Sequence, residues 1–297
     1  MAAVHAYRQL GSAPVDDIAS FLRRHDALRV GFELGGQMRV AMTIADLDAL
    51  RRSVPEPTDI SLMVWRLRMV KSEAELERIR TACEITDEVY QRELPRLHQG
   101  MTEREIAARL ELGMLEHGAH GSWSWVAAGR DQYHRVDGVV RDRAVEDGEL
   151  VFIDMGANCG GYWADFSRSA VIGRASPEQR RMQKLVADVT AVGVVQLRPT
   201  NTTGKVARIV HQAMNDRELT FSSQAGRYGH GLGLWITEPP DIWPTDATPI
   251  QPGMVLTMEP GTWTPYGMFH CEQNVLITET GNEVLSRTHW GLVETAQ

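Results

Sequence analysis

Cysteine is scarce in this sequence: Cys83, Cys159 and Cys271 are the three among 297 residues. They form no C-x-x-C pair and are too few for a disulfide framework, which excludes a small stapled scaffold and fits reduced thiols in a cytoplasmic protein. Long apolar runs are missing too. None approaches the roughly 20 residues a membrane helix needs. The N-terminus, Met1-Ala-Ala-Val-His5, lacks the charged and apolar regions of a secretory signal. Nor do bases dominate: 31 Lys and Arg against 39 Asp and Glu give a net charge of -8. The Lys and Arg residues are scattered, so no nucleic-acid footprint is present. No nucleic-acid or membrane partner is expected. What remains is an ordinary globular composition, long enough for one large domain or two modest ones.

Residues 1–69 read differently from residues 70–297. An amphipathic helix over Val15 to His25 leads to a strand over Leu28 to Phe32. A second helix over Ile44 to Ser53 follows, and Pro55-Glu-Pro57 breaks the pattern. This small α/β segment is too short to bury much core alone. Beyond it, Ser72 with Glu75 and Thr102 with Glu105 form capping boxes, each opening a helix. The first helix aligns Leu76, Ile79, Cys83, Thr86 and Tyr90 on one stripe and stops at Pro95; the second runs to about His117, with Gly118 as C-cap. Strands are expected at Trp123–Ala127, Leu150–Ala157 and Gly161–Ile172, the last two joined as a hairpin through Asn158-Cys-Gly160. Ser176-Pro177 opens a long helix to about Leu197, and Thr203 to Asn215 forms a shorter one. Further strands fall at Val255–Glu259, Phe269–Thr278 and Glu283–Leu285. The order is helix, helix, strands, twice over. It predicts an α+β fold of two similar halves around an antiparallel sheet.

Five residues in short apolar stretches beside glycine or proline carry the chemistry. They are Asp154 in Val151-Phe-Ile-Asp154-Met-Gly156, Asp165 in Tyr162-Trp-Ala-Asp165-Phe-Ser167 and His230 in Gly229-His-Gly-Leu-Gly233. The other two are Glu259 in Thr257-Met-Glu259-Pro-Gly261 and Glu272 in Cys271-Glu272-Gln-Asn-Val275. A lone aspartate is commonly a turn or cap residue, and a lone histidine is often a buried group bonded to a carbonyl. Two aspartates inside apolar strands across one hairpin are harder to explain so, because the turn between them lets both reach one face. Glutamates are seldom fully buried unpaired. Four carboxylates brought together would repel and burial would cost stability, unless cations sit among them. Carboxylates with an imidazole form a hard, oxygen-rich ligand set for a pair of divalent ions.

Together these segments closely resemble the pita-bread metallohydrolases, which include methionine aminopeptidase, aminopeptidase P, prolidase and the metal-free creatinase. The resemblance covers residues 71 to about 285 and matches all five motifs in order and spacing. It implies Asp154 as a terminal ligand of one metal, Asp165 and Glu272 as bridges, and His230 and Glu259 on the second metal. The implied cofactor is two divalent ions (Mn, Co, Fe or Zn), which hold and deprotonate a water between them. Glu259 is the candidate for proton transfer. The implied activity is cleavage of a peptide-like C–N bond in a small-molecule or short-peptide substrate, as in Xaa-Pro aminopeptidases and dipeptidases. A homodimer is implied as well, and residues 1–69 resemble the final portion of a creatinase-type N-terminal domain, ending in Leu67-Arg-Met-Val-Lys71.

Three positions depart from the peptidase pattern. Where the peptidases carry a second histidine, Thr237 stands in Thr237-Glu-Pro-Pro240; a threonine donates a hydrogen bond but supplies no cation. The histidine that precedes the first aspartate matches His134 if a short insertion is allowed, whereas a straight count lands on Asp137. The arginine two residues before the last glutamate is replaced by His270, which either supports the metal shell, binds substrate or is structural. The metal set is therefore intact and the substrate-handling set altered. That leaves a second reading, a small-amide hydrolase or a dimethylsulfoniopropionate-type lyase on the same metals. A non-catalytic binding protein is a third, and the five intact ligand residues weigh against it. Trp235 and Trp243, near Thr237, are candidates to line a pocket for an apolar or cationic group.

Overall fold

The computed structural model describes residues 14–25, 29–38, 42–130, 132–135, 137–221 and 226–295. The chain divides into two compact units, Met1–Arg68 and Met69–Gln297. The first contains α1 (Val15–Arg24), β1 (Gly31–Phe32), α2 (Ile44–Ser53), β2 (Thr58–Asp59) and most of α3 (Ser61–Met69), with β1 and β2 paired in parallel. Leu28, expected to open the first strand, lies outside the described residues. Asp59 organises this unit: one carboxylate oxygen accepts from the Ser61 amide at 2.9 Å and the Leu34 amide at 3.2 Å.

The second unit repeats helix, helix, strands. Its first half holds α4 (Glu73–Glu93), α5 (Glu103–Glu116), β3 (Gly121–Ala128), β4 (Leu150–Cys159), β5 (Tyr162–Trp163) and β6 (Phe166–Val171). Its second half holds α6 (Pro177–Gln196), α7 (Thr203–Asn215), β7 (His230–Gly231), β8 (Glu238–Asp241), β9 (Val255–Met258), β10 (Gly261–Thr264), β11 (Gly267–His270), β12 (Gln273–Ile277) and β13 (Asn282–Val284). A last strand, β14 (Val293–Glu294), returns to pair in parallel with β6. The capping boxes are formed: the Ser72 amide donates to Glu75 at 2.7 Å and the Thr102 amide to Glu105 at 2.8 Å.

Each half has its own sheet, ordered β14-β6-β4-β3 with β5 on β4, and β13-β12-β9-β7-β8. The pairing is antiparallel apart from β14. In β4, Val151, Ile153 and Met155 are fully buried and join a core with Ile79 and Val89 of α4. The buried Tyr90 hydroxyl stitches this layer to the sheet through the carbonyls of Ile153 and Phe166, at 3.1 and 2.8 Å. Two glycines permit close approaches that shape the site. A Cβ on Gly156 would overlap the Ala164 carbonyl, and one on Gly231 would overlap that of Pro239.

Two expected strands are broken, and both breaks carry a site residue. Gly161–Ile172 divides into β5 and β6, leaving Asp165 between them; Phe269–Thr278 divides into β11 and β12, leaving Glu272 between them. Alternating apolar character does not reveal such an interruption, because side chains rather than a neighbouring strand satisfy the backbone there.

Candidate metal centre

Register brings the first two carboxylates close together. Asp154 of β4 lies opposite Ser167 of β6, and Asp165 stands immediately before β6, near enough to act on the Asp154 carboxyl. Asp165 is tied by the buried Asn274 side chain, whose Oδ1 accepts the Asp165 amide at 3.0 Å while its Nδ2 donates to the Asp165 carbonyl. Glu272 is tied in the same manner. Its amide donates to Ser167 Oγ at 3.1 Å, and its carbonyl accepts from Arg168 Nη1 at 2.8 Å. These ties hold both acids where the two halves meet.

His230 arrives from β7. Its Nδ1 lies 2.9 Å from the Gly231 carbonyl, which can only accept, so Nδ1 carries the hydrogen and Nε2 presents its lone pair. Nε2 lies 3.4 Å from Asp165 Oδ2 and 3.5 Å from Glu259 Oε1. Ligand atoms of Asp165, His230 and Glu272 all fall within 4.8 Å of one another. Glu259 follows β9, its amide bonded to the Tyr228 carbonyl at 2.9 Å. His270 completes the wall: Nδ1 lies 2.7 Å from Ser167 Oγ and Nε2 lies 3.7 Å from Glu259 Oε2. Asp165, His230, Glu259, His270 and Glu272 are buried, and Asp154 is half-buried.

The electrostatics are those of carboxylates removed from water, with the Arg227 guanidinium a partial counter-charge to Asp165 and Glu259. Burial, then the nearby Asp165, pushes Asp154 well above its ordinary value. Burial raises Asp165 to about 8 and Glu259 to about 7. Glu272 rises well above the carboxylate range through burial and then through Asp165, Asp154 and Glu259. Burial lowers His230, and drives His270 down to about 4. Oδ1 of Asp154, Oδ1 of Asp165, Oε1 of Glu259 and both Glu272 oxygens accept no hydrogen bond from any described residue. Buried carboxylate oxygens left so are costly unless a cation takes them. The donor set fits divalent metal: hard oxygens, one neutral imidazole, and a hydrogen-bonded support behind the ligands.

The remaining expected residues lie apart from this cluster. Thr237 is exposed, and its hydroxyl accepts from Arg227 Nη2 at 3.4 Å. His134 is exposed on a turn with its ring 6.0 Å from that of Trp263; no hydrogen bond or ion pair among the described residues joins it to the carboxylates. Trp243 packs with Tyr228 at a ring distance of 6.0 Å. Sequence reading missed Ser167, Arg168 and Asn274, which hold the two broken strands, and Arg227, whose Nε lies 3.9 Å from Glu259 Oε1. Short spacing was the available signal: each lies within three residues of an expected ligand.

A buried carboxylate cluster around one imidazole, set between the halves of an α+β pita-bread fold, defines a metallohydrolase. The chain belongs to metallopeptidase family M24, which it matches over residues 77–279. It is similar to the Xaa-Pro dipeptidase of Pyrococcus furiosus, with 31% identity over 282 residues covering 93% of this chain and 79% of the relative. Among solved structures, an Xaa-Pro dipeptidase from Bacillus anthracis superposes with a TM-score of 0.87 at 26% identity, over 95% of this chain and 78% of that one. Prolidase from Pyrococcus furiosus gives 0.79 at 29% identity, over 92% and 80%.

Proposed function

We propose that the protein is an Xaa-Pro dipeptidase-like hydrolase that cleaves a peptide-like C–N bond with two divalent ions. The observation that carries this reading is the set of buried carboxylate oxygens that no described donor satisfies, converging on the His230 lone pair. Asp154 would serve one ion, His230 and Glu259 the other, and Asp165 and Glu272 both. Bound there, the pair supplies a water activated at neutral pH and positive charge against the developing oxyanion.

The chain's own residues do the rest. Glu259, beside the His230 lone pair at 3.5 Å, is the candidate to accept the water's proton and pass it to the leaving nitrogen. His270 flanks Glu259 at 3.7 Å, its ring oriented by the Ser167 hydroxyl behind. Thr237 presents an exposed hydroxyl, and His134 stands beside Trp263 on an exposed turn; both are candidates to meet the substrate. Residues 1–69 are read as a creatinase-type N-terminal segment, in keeping with the unit boundary at Arg68. A cytoplasmic homodimer belongs to the same proposal, and light scattering of the purified chain tests the dimer.

The test is metal analysis of the purified protein, with Asp165→Ala as control, followed by turnover on Mn- and Fe-loaded enzyme. The panel spans Xaa-Pro dipeptides, N-acyl amino acids and sulfonium compounds. Stoichiometric metal with dipeptide cleavage is expected. Metal without dipeptide cleavage, but with turnover of an amide or sulfonium compound, transfers the chain to the small-amide hydrolase or lyase reading. No bound metal ends both metal-dependent readings.

A further inference from the structure

We propose that Arg227, steadied by Thr237 and Asp241, binds the oxygen on which negative charge develops as the scissile carbonyl is attacked. This deepens the hydrolase reading above and rests on it. Arg227 is fixed at two of its three nitrogens: Nη1 donates to Asp241 Oδ1 at 3.1 Å and Nη2 to Thr237 Oγ1 at 3.4 Å. The third nitrogen, Nε, is buried and donates to no described acceptor. It lies 3.9 Å from Glu259 Oε1, too far for a hydrogen bond, so a donor is left unused beside the carboxylate cluster.

The side chain is 17% exposed, and Thr237 at its outer edge is open to solvent. A substrate entering past Thr237 would meet the guanidinium before the carboxylates. A buried N–H without an acceptor is costly in the resting protein. It becomes an asset when an anionic oxygen arrives, because a preorganised charged donor in a water-poor site needs no rearrangement at the moment of reaction. Guanidinium keeps its charge at every working pH and offers a fixed fork of donors. The permanent cation that Thr237 cannot provide therefore stands one hydrogen bond away from it.

A mere ion pair with Glu259 would steady the metal site; an anion-binding role would leave metal affinity alone and act on the reacting oxygen. Full-length Arg227→Met and Arg227→Lys separate these. Calorimetry measures manganese affinity first, then the affinity of the manganese-loaded protein for inorganic phosphate, the tetrahedral oxyanion probe. Turnover of Ala-Pro is followed in parallel. Arg227→Met is expected to weaken phosphate about 10- to 100-fold and to lower kcat about 100-fold, with KM and manganese affinity within about threefold of the parent. Arg227→Lys is expected to restore part of the phosphate affinity. Equal phosphate affinity in parent and Arg227→Met overturns the proposal, as does manganese affinity falling in step with turnover. A parent that ignores Ala-Pro yet binds phosphate through Arg227 refutes the dipeptidase reading and keeps the anion site.

Discussion

The floor of the site and its rim follow different rules. On the floor, Asp165 and Glu272 occupy breaks in strands, and buried side chains from the opposite half hold their backbones. At the rim, Thr237 and His134 are exposed, and Trp263 is 49% exposed on the β10–β11 hairpin. Floor residues depend on one another across both sheets, so altering one disturbs several. Rim residues touch few partners and are free to vary with substrate. On the proposed reading, the floor would fix where water is activated while the rim would decide which bond it meets.

The largest test of that contrast removes a floor ligand. Asp165→Ala deletes a carboxylate shared by the candidate ions and is expected to abolish stoichiometric metal and lower turnover by more than about 1,000-fold. Elemental analysis and steady-state kinetics read the two effects. Retention of full metal content would show that the floor is less interdependent than its geometry states. A second floor test leaves every ligand in place. Asn274→Ala strips both backbone ties from Asp165 and a contact from Cys83 Sγ. It is expected to weaken metal about 10- to 100-fold and to cost roughly 2–3 kcal/mol, since buried groups are left unsatisfied. Calorimetry and denaturant unfolding measure these; an unchanged metal affinity would return Asn274 to a packing role.

The floor's charges give a pH test of known sign. Asp165 and Glu259 have folded values of about 8 and about 7, above ordinary values of 3.8 and 4.5. Their protonated forms are favoured by folding, so the stability they contribute is complete below the ordinary values and is lost as pH rises through the folded ones. His270, lowered to about 4, works oppositely but only in the acid range below its ordinary 6.5. Between about pH 7 and pH 9 the carboxylates dominate. Metal-free protein is expected to lose roughly 1–3 kcal/mol across that window, and manganese is expected to remove the loss. Thermal melts with EDTA and with manganese compare the two states. A metal-free melt that stays flat would mean the carboxylates are already compensated.

How much of this was legible beforehand follows the same division. The five candidate ligand positions stood out because carboxylates and glycines inside apolar strands contradict ordinary burial preferences. Helix starts were legible too, since Ser72, Thr102 and Ser176 cap locally, within three residues. The strand breaks at Asp165 and Glu272 were not. They depend on Asn274, Ser167 and Arg168 reaching across more than a hundred positions, and periodicity carries no record of a distant side chain replacing a ladder partner. Arg227 was missed for a related reason. Its meaning lies in simultaneous distances to Thr237, Asp241 and Glu259 rather than in its own neighbours.

The smallest expected effect belongs to the rim. Thr237→Val keeps the shape and removes the hydroxyl that accepts from Arg227 Nη2, while Asp241 continues to hold Nη1. One exposed hydrogen bond is worth about 0.5–1.5 kcal/mol, so kcat/KM on Ala-Pro is expected to fall about 2- to 10-fold. Metal affinity and melting temperature should not move, because Thr237 contacts none of the candidate ligands directly. Steady-state kinetics beside manganese calorimetry checks this. A loss as deep as that of Asp165→Ala would place Thr237 on the floor, where the chemistry is fixed. A small loss confined to turnover makes it the position at which a different substrate would be accommodated first.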